Sequence, residues 1–574
     1  MAGKVRMGAP SQFVGRHRNL WMPNGLSGPP RRGARRPRLG ALAALVVSLA
    51  PAAPALAQTA VPQLFESSDK CMACHNGLLT PAGEDVSIGD EWQSSMMANA
   101  ARDPYWQAAV RRETIDHPSA QGHIQAECST CHMPMAHYQA LAARQPARAF
   151  AMMPRRGAQP AGQLALAADG ASCTVCHQIL AANLGERETF VGRFEFDRQT
   201  PIGRRQVFGP FDVDRGTETV MSSASGFVPA RGDHLRSSEL CATCHTLITE
   251  ALGPDGKKVG ELPEQVPYLE WLNSSYRDRR GCIDCHMPVI NGPVAVTSVL
   301  PKPRPWLARH AFRGGNAFML RVLSRYSAEL AVQARPTELT RAASETEGFL
   351  RTAAAKLGVG ISRAPDGRLQ AVVTISNLAG HKLPTAYPSR RVWLRLRVMD
   401  AAGRVHFESG AFNPNGAIIG NDNDRDARDY EPHHERITSP EEVQIYEAIL
   451  VSRAGETTTG LLTAVGFAKD NRILPDGFDK AGAGPEVAVH GRALEDTDFA
   501  DGRDTITYLI PTQGLTGTVQ VEAWLLYQPI AYRWAENLAG YTAPETRRFV
   551  AMYRSLSPTS VYTLDHVQLG VGLD

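Results

Sequence analysis

The chain has 574 residues, too many for one compact core, and its 43% apolar and 21% charged residues are ordinary for soluble, folded, multidomain protein. Its formal net charge of +3 misleads, because residues 1–57 carry nine Lys/Arg and no acid. The remainder holds 52 basic against 58 acidic residues, a net −6 that gives nucleic-acid binding no support.

In chain order, the first predicted element is a signal peptide over residues 1–57. A basic block at residues 31–38 precedes a short apolar run, and Ala55-Leu56-Ala57 supplies a small-residue cleavage site before Gln58. The polar stretch before residue 31 leaves Met22 as an alternative start. Pro51 and Pro54 interrupt the apolar run, which is short for a membrane span, and no later stretch is apolar enough to be one. The expected location is the periplasm, with the cell surface or the medium as other destinations of an exported chain.

Ten cysteines follow, and each belongs to a C-x-x-C-H motif. The motifs are Cys71/Cys74/His75, Cys128/Cys131/His132, Cys173/Cys176/His177, Cys241/Cys244/His245 and Cys282/Cys285/His286. Two thiols three positions apart can form thioethers to the two vinyl groups of one haem, and the adjacent histidine then sits under the iron. A redox disulfide or half a zinc site also uses C-x-x-C, but neither places a histidine after all five pairs. The reading is five covalently bound haem c groups. Intervals of 57, 45, 68 and 41 residues between first cysteines leave little room for a conventional core. Residues 58–335 are therefore expected to form a mostly helical and loop domain whose core is haem.

Sixth ligands are less determined. His117, His123, His137, His234 and His310 fall in the same region, a number that background frequency would also give. Context favours His234, seven residues before Cys241, and His310, which follows the last motif; His123 and His137 flank the second motif. His117 precedes Pro118, on an extended segment or turn. The stretch DEWQSSMMANAARDPYWQAAV reads as a helix carrying Met96 and Met97, where core packing competes with ligation.

The stretches EWQSSMMANAARDPYW, ECSTCHMP, DGASCTVCHQI, SSELCATCH, PYLEWLNSSY with CIDCHMP, and HAFRGGN, spread over residues 64–320, resemble the cytochrome c-552/c-554-type multihaem family. That resemblance implies a largely helical haem domain with electron transfer as its default role. In the family a W-x-x-S-x-H helix often supplies a distal histidine. Here Met97 follows Trp92 and Ser95 at that position, which makes Met97 a candidate axial ligand or leaves one haem five-coordinate.

Residues 336–365 read as a helical connector. Residues 366–574 alternate with period two in LQAVVTIS, RRVWLRLRVMD, RVHFES, VQIYEAILV, TGLLTAVG, DTITYLI and TVQVEAWLLYQ, and Asp400-Ala-Ala-Gly403 looks like a hairpin turn. The expected class is α+β, with a C-terminal β-sandwich-like domain. The stretch SNLAGHKLPTAYPSRRVWL resembles the C-terminal region of some multihaem cytochromes, which implies that His381 caps or ligates a haem; its shaping a Pro-rich loop is the competing reading. Asp422-Asn-Asp424-Arg-Asp426 has the oxygen spacing of a calcium loop without its glycine and closing glutamate, and Asp496, Asp498, Asp501 and Asp504 crowd a second loop. Solvated charged loops compete with calcium at both.

Three functions are weighed. The leading one is a carrier between a redox protein or quinol-linked donor and an acceptor, with no catalytic residue of its own. The alternative is a reductase of a small nitrogen or sulfur oxyanion at one open haem, for which no C-x-x-C-K variant of the motif occurs. A filament-forming cytochrome is the third.

Overall fold

The computed structural model describes residues 61–157 and 160–573, so the expected signal peptide lies outside the described residues. Alternation builds the C-terminal part. In Leu369–Asn377 every second residue is buried, which puts Leu369, Ala371, Val373 and Ile375 on one face. This strand pairs antiparallel with Ala355–Arg363 and with Arg503–Ile510, and Arg436–Ile437 adds a short parallel edge. A second sheet runs in the order Val405–Ser409, Arg391–Met399, Thr518–Gln528, Tyr562–Gly572, with Ile445–Tyr446 also against Arg391–Met399. Inward residues of both sheets, among them Val373, Leu394, Leu396, Ile506 and Leu525, belong to one core. The Asp400–Gly403 turn forms as expected, with Gly403 at φ +80° and its N–H on the Asp400 carbonyl.

Other elements differ from the sequence pattern. The DEWQSSMMANAARDPYWQAAV stretch is two helices, Ile88–Gln93 and Pro104–Asp116, with Met96 and Met97 in the turns between them. Two local devices break it. Ser94 and Ser95 bond back to carbonyls of the preceding turn, and Asp103 caps a new helix by accepting from the Tyr105 and Trp106 N–H groups, with Pro104 at its first position. VQIYEAILV divides into Ile445–Tyr446 and Ala448–Ser452, which join different sheets. Two helices, Tyr532–Ala539 and Pro544–Leu556, interrupt a region expected to be all β.

Helices, a parallel pair of Gln206–Gly209 with Val228–Arg231, and two hairpins, Leu247–Leu252 with Lys258–Gln265 and Val289–Ala295 with Pro303–Ala308, make up the N-terminal part. It interlocks with the β-rich part. Arg111 forms a bidentate pair with Glu545, and the buried Glu113 carboxylate accepts from the Leu461 and Leu462 N–H groups. Tyr105 and Phe318 join the β core directly, and from Ala60 onward the chain is one compact unit. The class is α+β, and no helix among the described residues is long and apolar enough to cross a membrane.

Candidate cofactor-binding site

Each C-x-x-C-H motif lies on or beside a short helical turn: Asp69–Met72, the end of Gln121–His132, Cys173–Cys176, Ser238–His245 and Cys282–His286. Helical spacing puts thiols i and i+3 on one side, followed at once by the imidazole. The fold turns all five motifs inward. All ten cysteines and all five motif histidines line one cavity of about 1350 Å³, and no cysteine is in a disulfide. Protein interiors are close-packed.

Thiols of different motifs also meet. Cys71 interacts with Cys173, Cys131 with Cys244, and Cys241 with Cys282, while Cys176 lies close to Cys244. Burial pushes the Cys176 thiol up to about 12, so it carries no thiolate at neutral pH.

The histidines are oriented by the backbone. His75 Nδ1 donates to the Val296 carbonyl (2.6 Å), His132 to Ala100 (3.0 Å), His177 to Phe208 (2.6 Å) and His286 to Arg313. Each bond fixes the tautomer that leaves Nε2 with its lone pair. Burial pushes His132 and His286 down to about 4 and lowers His75, His177 and His245 as well, so these rings are neutral. On the cavity wall His75, His132, His177 and His286 are half-buried and His245 is exposed. His245 alone of the five makes no such carbonyl bond among the described residues.

His310 lines the same cavity, and its ring lies 6.4 Å from that of His177 at an interplanar angle of 11°. Its Nδ1 donates to the Ala308 carbonyl (3.0 Å), and its backbone N–H is held by the Glu91 carboxylate. His381 faces His286 in the same way, at 6.2 Å and 15°. His75, His132 and His245 have no histidine at such a separation among the described residues.

The other expected ligands scatter. Met97 lines the cavity; its carbonyl accepts from the Ala171 N–H, and Gly170, at φ +60°, packs where a Cβ would stand 2.6 Å from that oxygen. His123 also lines the cavity, half-exposed and 3.5 Å from Glu250. The structure does not bring His234 or His137 to the cavity wall. His234 Nε2 donates to the Ile179 carbonyl (2.8 Å), and His137 is buried against Ser129 Oγ and Tyr138. His117 is held by Thr463.

The two acidic loops are taken up internally. Asp422 pairs with Arg425, Asp424 with the buried Arg391, and Asp426 with Arg428. Asp496 and Asp504 converge on His433, whose Nδ1 accepts from the amides of Gln444 (2.9 Å) and Asn471 (3.0 Å). Those amides are themselves oriented by the backbone N–H groups of His434 and Glu447. The proton of His433 is therefore on Nε2, where it bonds Asp496 (3.0 Å) instead of leaving a lone pair for a metal.

Sequence reasoning did not single out the protic wall of the cavity, formed by Tyr105, Glu264, Tyr387 and Arg390. Burial raises Tyr105 and Tyr387 and pushes Glu264 up to about 7. Nothing in the local pattern of these residues marks them, because a helix, a strand and a loop far apart in sequence bring them together.

The donor set fits covalently attached haem: paired thiols at thioether spacing, neutral imidazoles presenting Nε2, and a shared cavity. No family model and no curated protein matches the chain. Among solved structures, a penta-heme cytochrome c552 from Thermochromatium tepidum is similar with a TM-score of 0.48 and 16% identity, over 89% of this chain and 100% of that one.

Proposed function

We propose that this chain is an exported pentahaem c-type cytochrome that passes electrons between redox partners. The observation that carries the reading is the single cavity into which all ten cysteines and all five motif histidines point. Haem bound there would supply one-electron redox chemistry at each iron. The protein's share is to anchor each group by two thioethers, to orient four of the five proximal imidazoles through a backbone carbonyl, and to exclude water.

The thiol neighbours support which motifs lie side by side. The first motif adjoins the third, the third adjoins the fourth, and the fourth also adjoins the second and the fifth. The net −6 of residues 58–574 suits a basic redox protein as partner, and a quinol-linked donor is equally compatible.

Haem stoichiometry tests this directly. The purified mature protein should show five haems per chain by alkaline pyridine spectrum and by intact mass; fewer than five would reject the reading. A reductase remains the second reading, favoured by the protic wall and by the lack of a facing histidine at His75, His132 and His245. Low-temperature EPR of the oxidised protein separates the two. Five low-spin ferric signals sink a resting open-site enzyme, and a high-spin signal from one haem in five puts the reductase ahead, with nitrite, hydroxylamine and tetrathionate as substrates to assay.

A further inference from the structure

We propose that His381, contributed by the β-rich part of the chain, is the second axial ligand of the iron whose proximal ligand is His286. The proposal rests on the haem reading above and goes beyond it, because it makes the β-rich part a member of the redox centre.

The geometry of the pair is the first argument. The His286 and His381 rings are 6.2 Å apart between centroids and nearly parallel at 15°. Van der Waals stacking would bring such rings to about 4 Å. A direct N–H···N bond between them would bring the centroids to roughly 5 Å. Two imidazoles on one metal, each at about 2 Å from it, stand a little over 6 Å apart. The observed separation and near-parallel planes fit the last of these.

Tautomers give the second argument. His286 Nδ1 donates to the Arg313 carbonyl, and His381 Nδ1 donates to the Lys382 carbonyl at 2.9 Å. Both rings therefore keep Nε2 unprotonated, and both line the cavity. Two such nitrogens on one cavity wall are available to an electrophile bound between the rings. The same arrangement, with the same pair of carbonyl bonds, recurs at His177 and His310, so the spacing is not an accident of one loop.

The third argument is how firmly the loop carrying His381 is held. Asn377 Nδ2 donates to the His381 carbonyl (2.9 Å), and the Lys382 N–H donates to Glu270 (3.1 Å) on the helix Pro267–Leu272. The same Glu270 accepts from Thr385 Oγ1 and from Arg472 (2.8 Å). Gly380 lies where a Cβ would stand 3.1 Å from the Tyr276 ring. A residue that merely shapes a loop needs none of this convergence toward the cavity.

Full-length holoprotein with His381→Ala should retain five haems, because the Cys282 and Cys285 thioethers are untouched. One haem in five should change from low-spin to high-spin ferric by EPR, and added imidazole should return it to low-spin. Five haems with an unchanged set of low-spin signals would overturn the proposal. Should the alanine variant fail to fold by circular dichroism, His381→Met carries the test. It should stay low-spin and raise the midpoint potential of one centre only, because a His/Met haem lies higher than a bis-His one; five unshifted potentials would overturn the proposal. A wild-type protein with fewer than five haems refutes the haem reading itself, a result distinct from either.

Discussion

Asp470→Asn tests whether buried charge holds the two parts of the chain together. Asp470 is 1% exposed and accepts from Lys382 Nζ (2.7 Å) and from Arg472 Nε (2.8 Å) and Nη2 (2.7 Å). Arg472 reaches on to Glu270, so two cations and two carboxylates form a closed, buried set. Burial opposes ionisation of Asp470, but the Arg472 and Lys382 charges win and hold its carboxyl well below the usual carboxylate range. Asparagine leaves two buried cations facing one carboxylate. Removing one partner of a buried pair costs about 3–5 kcal/mol, a large share of a typical stability of about 5–15 kcal/mol. With a slope of about 3 kcal/mol/M, the urea midpoint followed by far-UV circular dichroism at pH 7 should fall by roughly 1–1.7 M. Adding Lys382→Met in the same chain removes the stranded cation and should recover more than half of that loss. The effect has a definite pH sign. A depressed carboxyl stabilises the fold above its unfolded pKa and stops doing so as pH falls through its folded pKa, so wild type and variant should converge in strong acid. A loss under about 1 kcal/mol, or a double variant no more stable than the single, would refute the reasoning.

Three further outcomes follow from other sites. Glu264 is buried, with Thr249 and Gln265 as donors and Glu113 as its charged neighbour, and its carboxyl is pushed up to about 7. Its protonated form favours the fold below about pH 4.5, and that advantage is lost as pH rises through 7; Glu264→Gln should therefore stabilise the protein at pH 8 by up to about 3 kcal/mol and change nothing at pH 4, by thermal melts at both values. Leu394→Ala empties a 1% exposed position between the two sheets and should cost about 2–5 kcal/mol in urea unfolding. Gly410→Ala places a Cβ 2.2 Å from the Leu394 carbonyl oxygen at φ +76°, and should lower the melting temperature more than Gly403→Ala, where φ is similarly positive but the space is open.

Those variants also mark what the chain reveals before it folds. The strands Leu369–Asn377, Arg391–Met399, Arg503–Ile510 and Thr518–Gln528 coincide with runs of alternating residues, because a sheet with one buried face writes its period into the sequence. The motif cysteines are legible for a different reason: thioether chemistry demands fixed spacing, and fixed spacing survives in one dimension. Neither kind of signal reaches the helices Tyr532–Ala539 and Pro544–Leu556. They are placed by contacts with Pro104–Asp116, such as Arg111 with Glu545, from the far end of the chain. The break at Met96 and Met97 was written locally, in Asp103-Pro104, but apolar spacing outweighed it.

Distal ligands are the hardest case, and His381 shows why. A proximal histidine is tied to its cysteines by covalent neighbourhood, whereas its opposite number needs only to arrive at the right point in space. His234 stands seven residues from a motif cysteine, yet its Nε2 is spent on the Ile179 carbonyl. His381 stands almost a hundred residues beyond His286 and still faces it at 6.2 Å, because Glu270 ties the intervening loop to the helix beside the motif. If His381 is a ligand as proposed, sequence proximity ranks His234 and His381 in the wrong order. The better criterion is the partner of Nδ1: a ring that donates Nδ1–H to a fixed carbonyl is left with one free nitrogen, and where that ring lines the cavity the nitrogen is available to a ligand-binding group.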